Sequence, residues 1–344
     1  MKRTPTIHDV AKKAKVSIAA VSLVMNDPLT PRVGATKRKI ITDIAVEMGY
    51  SANGIAKALI QGETKIIGLL VPMRDPIFFN QFIAQVLSGI QSVLTKRGYH
   101  LMIYSHQSET GQITATEIRQ SRLTDGLIVL NTRMCTASDQ KNTIAELNAA
   151  RIPFVMLNSY VSTEEKVNFV GFDDYGAGRL AGEFLIARGH QRIAMISGAG
   201  HSPMSGQLLK GFKDALRLKK VKFVPELHVF NDYEPAATVA AVQQWMESKE
   251  HPTAIFCSDD QFVPDVYRVL RSRKLRIPDD VAVLGRGNLA MAADIAPPLS
   301  TITVPGLQMG KQAAEMLQDM LKSKKVGPTE RVILPCELVV RASV

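Results

Sequence analysis

A short segment that begins at Ser17 holds the side chains best suited to contact another molecule. Apolar residues at Val21 and Val24 define the inward side of a predicted helix, so the other side faces outward. The outward residues are Ser17, Ile18, Ala19, Ser22, Leu23 and Asn26. Hydroxyl, amide and methyl groups on one helical face match the polar groups and thymine methyls at the edges of DNA bases. Together with the surrounding basic charge and the helix-turn-helix spacing, this face favours DNA recognition, and the alternative is an ordinary solvent-facing helix of a small bundle.

The positive charge of the chain is concentrated at the same end. The 344 residues include 42 Lys and Arg and 32 Asp and Glu, which gives a net charge of +10. Residues 1–62 contain ten basic and four acidic residues, so they carry +6 of that total. A basic head on a nearly neutral body is typical of a protein that binds a polyanion at one end.

Three short helices are predicted in this basic head. Thr6 and Asp9 have the spacing of a capping box, with Asp in place of the usual Glu. Ser17 can cap the second helix, which follows a break at Lys15. Gly49 ends the third helix, as glycine commonly does. Two helices around a tight turn, supported by a third, form the helix-turn-helix pattern of DNA-binding domains.

From Lys65 onward, apolar segments of strand length alternate with helical segments. The predicted strands are Ile66–Val71, Leu101–Tyr104, Gly126–Leu130, Pro153–Leu157, Arg192–Ile196, Ala254–Cys257 and Val281–Leu284. The predicted helices include Phe78–Arg97, Tyr175–Arg188 and Asp260–Arg273. Strands separated by helices form parallel sheets that are covered on both faces. The fold class is therefore an α/β body of two doubly wound parallel-sheet lobes behind a small all-α helix-turn-helix domain.

Catalytic and metal-binding patterns are weak in this sequence. His190 lies at a predicted turn and has no identifiable Ser or Cys partner. The pair Asp173-Asp174 precedes a helix and fits an N-cap better than a metal site or an acid/base pair. The glycines around residues 171–178 and 198–200 match no phosphate-binding loop. We therefore expect a protein that is not an enzyme and that needs no metal or cofactor.

The rest of the composition predicts a cytoplasmic protein without a membrane partner. The three cysteines are too far apart for a disulfide framework or a metal site: Cys135, Cys257 and Cys336. No apolar run approaches the roughly 18 residues that span a bilayer. The basic N-terminus is not followed by the apolar stretch of a signal peptide.

Motifs along the whole chain resemble those of one protein family. The head has Thr6-Ile-His-Asp-Val-Ala-Lys-Lys-Ala, Val16-Ser, Val21-Ser, Asn26, Gly49-Tyr50 and Asn53. The body has Ile67-Gly-Leu-Leu-Val-Pro, Asp75-Pro-Ile-Phe-Phe, Gly189-His-Gln-Arg-Ile-Ala, Pro297-Pro-Leu-Ser-Thr-Ile and Leu334-Pro-Cys-Glu-Leu-Val-Val-Arg. In this order and spacing they resemble the LacI/GalR family of bacterial transcription regulators.

The resemblance implies a transcription regulator, expected to be a repressor, that binds a pseudo-palindromic DNA operator as a homodimer. It places the DNA-binding head at 1–50, a linker helix at 51–63 and a ligand-binding and dimerisation body at 64–344. That body resembles a type I periplasmic binding protein. One lobe would comprise about 64–169 and 304–329, and the other about 170–303 and 330–344.

The resemblance also implies DNA contacts outside the second helix. Leu59 matches a leucine that wedges into the central base step, with Ala56 and Lys57 beside it. An inserted apolar side chain partly unstacks the step and kinks the duplex. The alternative for Leu59 is packing between the head and the body. The remaining implied contacts are Thr6, Tyr50 and Asn53.

The head departs from the family pattern at several positions. Leu23 stands where the family usually has Arg, and leucine cannot make the two hydrogen bonds that read guanine. Ala20 stands in place of Thr. Because Ile18 and Ala19 are also apolar, we expect the helix to read thymine methyls, with Ser22 and Asn26 as polar contacts. Lys15 replaces a turn glycine, so a positive φ is expected there. In the linker, Ala52 replaces Pro and Gly54 lowers helix stability.

The body is expected to hold an effector in a cleft between the lobes. The positions implied to line it are Phe78, Phe79, Asn158, Leu208, Tyr233, Asp259 and Gly287. The family's charged Arg and Asp clamp falls on Leu208 and Gly287, which carry no charge. Arg286 could supply a cation if its side chain turns inward. We therefore expect an apolar or an anionic ligand rather than a simple hexose, or no small effector at all.

Two alternative functions remain open at this point. The chain could bind DNA under the control of a protein co-regulator or of no effector. It could also be a solute-binding protein that delivers a ligand to a transporter. The basic head and the missing signal peptide argue against the second of these.

Overall fold

The computed structural model describes residues 5–27, 29–50, 62–71, 80–104, 118, 121, 123–131, 136–157, 166–323 and 329–344. The chain forms two compact units, Met1–Lys65 and Ile66–Val344. We call the first unit the head and the second the body. No helix in the described ranges is long and apolar enough to cross a membrane.

Three helices form the head: α1 (Ile7–Ala14), α2 (Ile18–Asn26) and α3 (Ala35–Met48). Each contributes apolar side chains at helical spacing to one small core. The fully or almost fully buried members are Val10, Ala11, Val21, Val24, Ile41 and Ala45. Because the buried residues of α2 are only Val21 and Val24, most of that helix is left for other contacts.

The helix ends of the head are those that the sequence predicts. The Asp9 carboxylate accepts hydrogen bonds from the Thr6 backbone N–H at 2.8 Å and the Thr6 hydroxyl at 2.7 Å. Ser17 Oγ accepts from the Ala20 N–H at 3.2 Å and so caps α2. Gly49 ends α3 with a φ of 67°. These short-range bonds satisfy N–H groups that a helix leaves without intrahelical partners.

The first lobe of the body contains a six-stranded parallel sheet. Its elements in chain order are β1 (Ile66–Leu70), α4 (Gln81–Lys96), β2 (His100–Tyr104), β3 (Gly126–Leu130), α5 (Ala137–Ala149), β4 (Phe154–Leu157) and β5 (Phe169–Phe172). The strand order is β11-β5-β4-β3-β1-β2, and the later strand β11 (Arg331–Leu334) pairs parallel to β5. The helix α11 (Gly306–Ser323) returns to this lobe and packs on α4.

The second lobe repeats this architecture. Its elements are α6 (Asp174–Ala187), β6 (Ile193–Ser197), α7 (Pro203–Leu218), β7 (His228–Phe230), α8 (Pro235–Glu247), β8 (Ala254–Cys257), α9 (Val263–Ser272), β9 (Ala282–Gly287), α10 (Met291–Asp294), β10 (Ser300–Thr303) and β12 (Leu338–Val339). The strand order is β12-β10-β9-β8-β6-β7, with only the β10–β12 pair antiparallel. The predicted α/β fold of two doubly wound lobes is confirmed.

The strand pairing shifts two predicted lobe boundaries. The predicted changes of lobe at 169/170 and 329/330 would put most of β5 and all of β11 in the second lobe, but both pair in the first sheet. The chain therefore crosses between lobes at Asp173, near Val304 and again at 335–337. The error arises because β11 pairs with β5 from a distant part of the chain, and neither segment by itself indicates that pairing.

Glycines allow the closest helix pairs to approach. In the second lobe, a Cβ on Gly178 of α6 would overlap the backbone oxygen of Leu208 on α7, and one on Gly211 would overlap the oxygen of Tyr175. In the first lobe, Gly89 of α4 and Gly310 of α11 meet in the same way. Both lobes thus hold the helix pair on one face of their sheet by backbone-to-backbone contact.

Candidate nucleic-acid interface and ligand cleft

The exposed face of α2 begins at its N-terminus. Ser17, Ile18 and Ala19 are exposed, and 42% of the surface of Ile18 is accessible. Helix α2 carries no charged residue, so its exposed face offers hydroxyl and methyl groups. An N-terminal helical turn with such side chains can approach base edges closely.

The other predicted contacts on α2 are half-buried instead of fully exposed, namely Ser22, Leu23 and Asn26. Leu23 is half-buried and packs against the head core. Asn26 Nδ2 donates to Ser22 Oγ at 3.3 Å, while Asn26 Oδ1 has no hydrogen-bond partner. Ser22 and Asn26 thus present a linked polar edge, and Leu23 contributes only part of its side chain.

The predicted contacts at the ends of the head are partly structural. Thr6 is half-buried in the capping box of α1. Tyr50 packs against the head core, and burial raises the pKa of its hydroxyl. The other predicted contacts lie outside the described residues: Asn53, Ala56, Lys57 and Leu59.

Some of the basic residues that the charge count includes have structural partners. The Arg38 guanidinium donates to the backbone oxygens of Thr30 at 2.5 Å and Leu29 at 3.4 Å, which ties down the loop before α3. Lys13 forms an ion pair with Glu47 at 2.7 Å between α1 and α3. These contacts position two basic side chains but leave the net charge of the head at +6, because Glu47 is already part of that count and a backbone oxygen neutralises no charge.

The turn between α1 and α2 contains strained backbone, as the sequence predicts. Lys15 has φ 53° and ψ 44°, in the left-handed region. A side chain with a Cβ is disfavoured there, whereas glycine is not.

We expect Lys15→Gly to stabilise the head by about 0.5–1 kcal/mol, because it relieves this strain. Lys15→Ala is the matched control, since it removes the same charge but keeps the Cβ. Hydrogen exchange at the buried amides of α1–α3 in the whole chain measures the difference. Equal effects of the two substitutions would show that charge, rather than backbone conformation, matters at this turn.

In the second lobe, the carboxyl ends of the parallel strands meet at one edge of the sheet. The side chain of Tyr233, after β7, lies over Gly198, after β6, and its ring centroid is 5.3 Å from that of Phe262. Gly287 ends β9 with a φ of 137°, which favours glycine, and lies against the Asp260 carboxylate. Asp259 caps the short 3₁₀ turn that follows β8 and accepts from the Gln261 N–H at 3.0 Å. Open α/β sheets bind ligands at this edge.

Leu208 does not belong to this edge, which corrects its assignment as a cleft residue. Only 1% of its surface is accessible, and it packs in the core between α6, α7 and the sheet. Its backbone oxygen is the atom that Gly178 approaches. The aligned position is thus filled by a core residue that offers no surface to a ligand. The predicted cleft residues Phe78, Phe79 and Asn158 lie outside the described residues.

A buried ion pair that sequence reasoning missed lies at the same edge. Arg286 Nη1 donates to Asp174 Oδ1 at 2.7 Å, and Arg286 Nε donates to the Ser258 oxygen at 2.9 Å. The side chains of Arg286 and Asp174 are 16% and 11% exposed. Asp173 is the N-cap of α6, as predicted, and accepts from the Gly176 N–H at 2.7 Å. Asp174 instead neutralises the only cation that the sequence suggested for the cleft.

Burial shifts the titration of the acidic groups around this edge. Burial raises the pKa of Asp174 to about 6, although the Arg286 charge opposes the shift. Burial also raises the pKa of Asp260 to about 6, against hydrogen bonds from the Leu289 N–H and the Thr301 hydroxyl. The pKa of the Cys336 thiol is raised to about 12, again by burial. Such a thiol is a poor nucleophile.

Other candidate groups have structural roles in the described part of the chain. His190 Nδ1 is hydrogen-bonded to Thr253 Oγ1 at 3.0 Å, and burial lowers the pKa of its ring. No cluster of metal-ligating side chains occurs among the described residues.

Comparison with known proteins identifies both units. The family model described as "Bacterial regulatory proteins, lacI family" matches residues 6–53, and the "Periplasmic binding protein-like domain" matches residues 183–344. The HTH-type transcriptional repressor PurR of Aliivibrio fischeri (strain MJ11) is 31% identical over 343 residues, covering 98% of each chain.

Solved structures agree with this comparison. The complex of the transcriptional regulator CelR with cellobiose has a TM-score of 0.72 and 27% identity, covering 99% of this chain and 100% of that one. The lac repressor dimer bound to operator and the anti-inducer ONPF has a TM-score of 0.85 over 99% of each chain. At 23% identity, the second match supports the fold alone.

These matches extend over nearly the whole chain and join a helix-turn-helix head to a two-lobed body. The relatives are repressors rather than enzymes. The chain belongs to the LacI family of bacterial DNA-binding transcriptional repressors.

Proposed function

We propose that the chain represses transcription as a homodimer on a pseudo-palindromic operator. Helix α2 of each protomer would enter the major groove of one half-site, and the linker would contact the minor groove between them through Leu59. The observation that carries this proposal is the exposed N-terminal face of α2, formed by Ser17, Ile18 and Ala19 on a capped, basic helix-turn-helix head. The solved lac repressor dimer is bound to its operator.

Base readout by this helix should rely on apolar contacts. Ile18 and Ala19 present methyl groups, and the half-buried Leu23 replaces the arginine that would read guanine. Thymine methyls are the natural partners of such side chains. Ser22 and Asn26 remain as polar contacts at the far end of the exposed face.

We expect Ile18→Ser to weaken binding to the operator selected by the unmodified protein by about tenfold, because the contact with a thymine methyl is lost. Val46→Ser is the matched control, since Val46 is also an exposed apolar residue of the head, on α3, with 76% of its surface accessible. Site selection from random DNA, followed by titration of the selected duplex at several salt concentrations, gives both readouts. Counterion release predicts a steep loss of affinity with salt for all three proteins.

Equal losses for Ile18→Ser and Val46→Ser would contradict the proposed docking of α2. A salt-independent affinity, or selected sites without two related halves, would contradict the proposed dimeric operator complex.

For the ligand, we propose that the interlobe cleft takes a molecule without net negative charge. CelR was solved with cellobiose, so a relative of similar fold binds a neutral sugar. In this chain Arg286 is already neutralised by Asp174, and the neighbouring Asp259 adds negative charge. An anion would therefore meet no unpaired cation among these residues, which removes support for the anionic ligand that the sequence suggested. A thermal-shift screen of sugars, amines and sugar phosphates tests this, and saturable stabilisation by a sugar phosphate alone would contradict it.

Control without a small effector is the second candidate. The observation that favours it is the Asp174–Arg286 pair itself, because the chain's own side chains occupy the edge where a charged clamp would hold a ligand. In that case no compound in the screen would stabilise the body.

A further inference from the structure

We propose that Arg286 is an interlobe latch, which holds the two lobes of the body together without a ligand. Its guanidinium contacts a residue from each lobe. The guanidinium carbon lies 5.4 Å from the ring centroid of Phe172, the last residue of β5 in the first sheet. Arg286 itself belongs to β9 in the second sheet.

The second-lobe side of the latch is fixed by hydrogen bonds. Asp174 accepts from Nη1 at 2.7 Å, and the Ser258 backbone oxygen accepts from Nε at 2.9 Å. Asp174 is the first residue of α6, directly after the crossover at Asp173. These bonds hold the guanidinium in place over the Phe172 ring. Arginine is suited to this geometry because it can bond in its plane and stack on an aromatic face at once.

The first-lobe side of the latch is also anchored. The Phe172 ring packs edge-on against Phe82, at 6.4 Å between centroids, and Phe82 lies on α4. This contact favours keeping the Phe172 ring with the first lobe when the second lobe rotates away. A second bond crosses the cleft nearby, because Gln81 Oε1 at the start of α4 accepts from the Ala290 N–H at 3.1 Å.

Lobe opening would break the contact with Phe172 and the Gln81 bond while leaving the bonds within the second lobe intact. The opened state would expose the Arg286–Asp174 pair, which is now largely buried. A contact of this kind biases a two-state equilibrium without abolishing motion. The inference concerns the body alone, so it holds whether or not a ligand modulates the protein.

Hydrogen exchange of the whole chain without ligand tests the latch. The double variant Asp174→Asn with Arg286→Met removes both charges, because a single change would leave one buried charge unpaired. We expect about tenfold faster exchange at three backbone amides whose hydrogen bonds link the two lobes or the crossovers between them. These are the N–H groups of Asp173, Ala290 and Thr303, which donate to Leu334, Gln81 and Glu337 respectively. Exchange in β6 and β8 should not change.

Arg271→Met is the matched control. The Arg271 guanidinium also stacks on an aromatic ring, 5.5 Å from the Tyr267 centroid, and donates to the Ala296 oxygen, but all three residues lie in the second lobe. This variant should leave exchange at the three linking amides as it is in the unmodified protein.

Phe172→Leu isolates the interlobe contact, because it removes the ring and keeps the ion pair. We expect it to speed exchange at the same amides, and it serves if the double variant fails to fold. Unchanged exchange at those amides in Phe172→Leu would overturn the proposal. So would a uniform rise that includes β6 and β8 in the double variant, which would show that Arg286 only supports the fold of its own lobe.

Discussion

Replacing Gly178 with alanine is expected to destabilise the body by about 3 kcal/mol, at the upper end of the usual cost of overpacking. The added Cβ would overlap the backbone oxygen of Leu208 and lie 2.8 Å from the backbone nitrogen of Phe212. Both atoms belong to the main chain of α7, so no side chain can turn aside. Helices α6 and α7 would have to separate and lose contacts in the core between them.

Gly206→Ala is the control, because Gly206 lies on the same α7 and a Cβ there would meet nothing within 4 Å. Alanine is the better helix former, so this change should stabilise the body by about 0.5–1 kcal/mol. Urea unfolding followed by the fluorescence of Trp245, the single tryptophan and buried in the second lobe, measures both. A loss below about 1 kcal/mol for Gly178→Ala would mean that the two helices separate easily.

The same close approach occurs in the first lobe, where Gly89 meets the backbone of α11 and Gly310 meets that of α4. In both lobes the helix pair covers the face of a parallel sheet. Helix α6 also begins at the crossover and provides Asp174, so the position of the Arg286 pair depends on the α6–α7 contact. Packing between α6 and α7 thus helps to fix the orientation of Asp174 at the cleft edge.

The sequence predicts those parts of the fold that depend on neighbouring residues. Strands such as Gly126–Leu130 are buried on both faces, so they appear as continuous apolar runs and are found at their observed positions. The positive φ of Lys15, expected from the turn glycine that the family usually has there, is confirmed. Capping by Ser17 follows from a few consecutive residues and is confirmed as well. The helix-turn-helix head is predictable for the same reason.

Features that depend on distant residues are not predictable in this way. Asp174 and Arg286 are 112 residues apart, and nothing in either segment indicates the other. Leu208 was assigned to the cleft by its alignment with a family position, but its side chain is in the core. The four-residue strand β11 acquires its place only by pairing with β5. Alignment gives the position of a residue in the chain, whereas its surroundings depend on packing.

The buried Asp260 provides a second large effect, with an unusual dependence on pH. Its side chain is fully buried and accepts hydrogen bonds from Thr301 Oγ1 at 2.8 Å and the Leu289 N–H at 2.9 Å. It holds the loop after β9 against β10, next to Gly287. Burial raises its pKa from 3.8 to about 6, so the folded protein favours the protonated carboxyl.

A raised carboxyl pKa destabilises the folded state as pH rises. Well below pH 3.8 the group is protonated in both states, so burial of its charge costs nothing there. Between 3.8 and about 6 the folded state binds more protons than the unfolded state, and this contribution to stability is lost with rising pH. A shift of about two units corresponds to about 3 kcal/mol.

Asp260→Asn is therefore expected to gain stability relative to the unmodified protein as pH rises. The amide stays uncharged at every pH. The free energy of unfolding of the unmodified protein minus that of the variant should therefore fall by about 3 kcal/mol between about pH 3 and about pH 7. Urea unfolding followed by Trp245 fluorescence at each pH measures this difference. Asp279→Asn, at an exposed aspartate of the same lobe, controls for the loss of one negative charge. For Asp260→Asn, this difference in the free energy of unfolding would instead stay constant or grow with pH if the prediction is wrong. The hydrogen bonds from Thr301 and Leu289 would then outweigh burial and keep the Asp260 carboxylate charged in the folded protein.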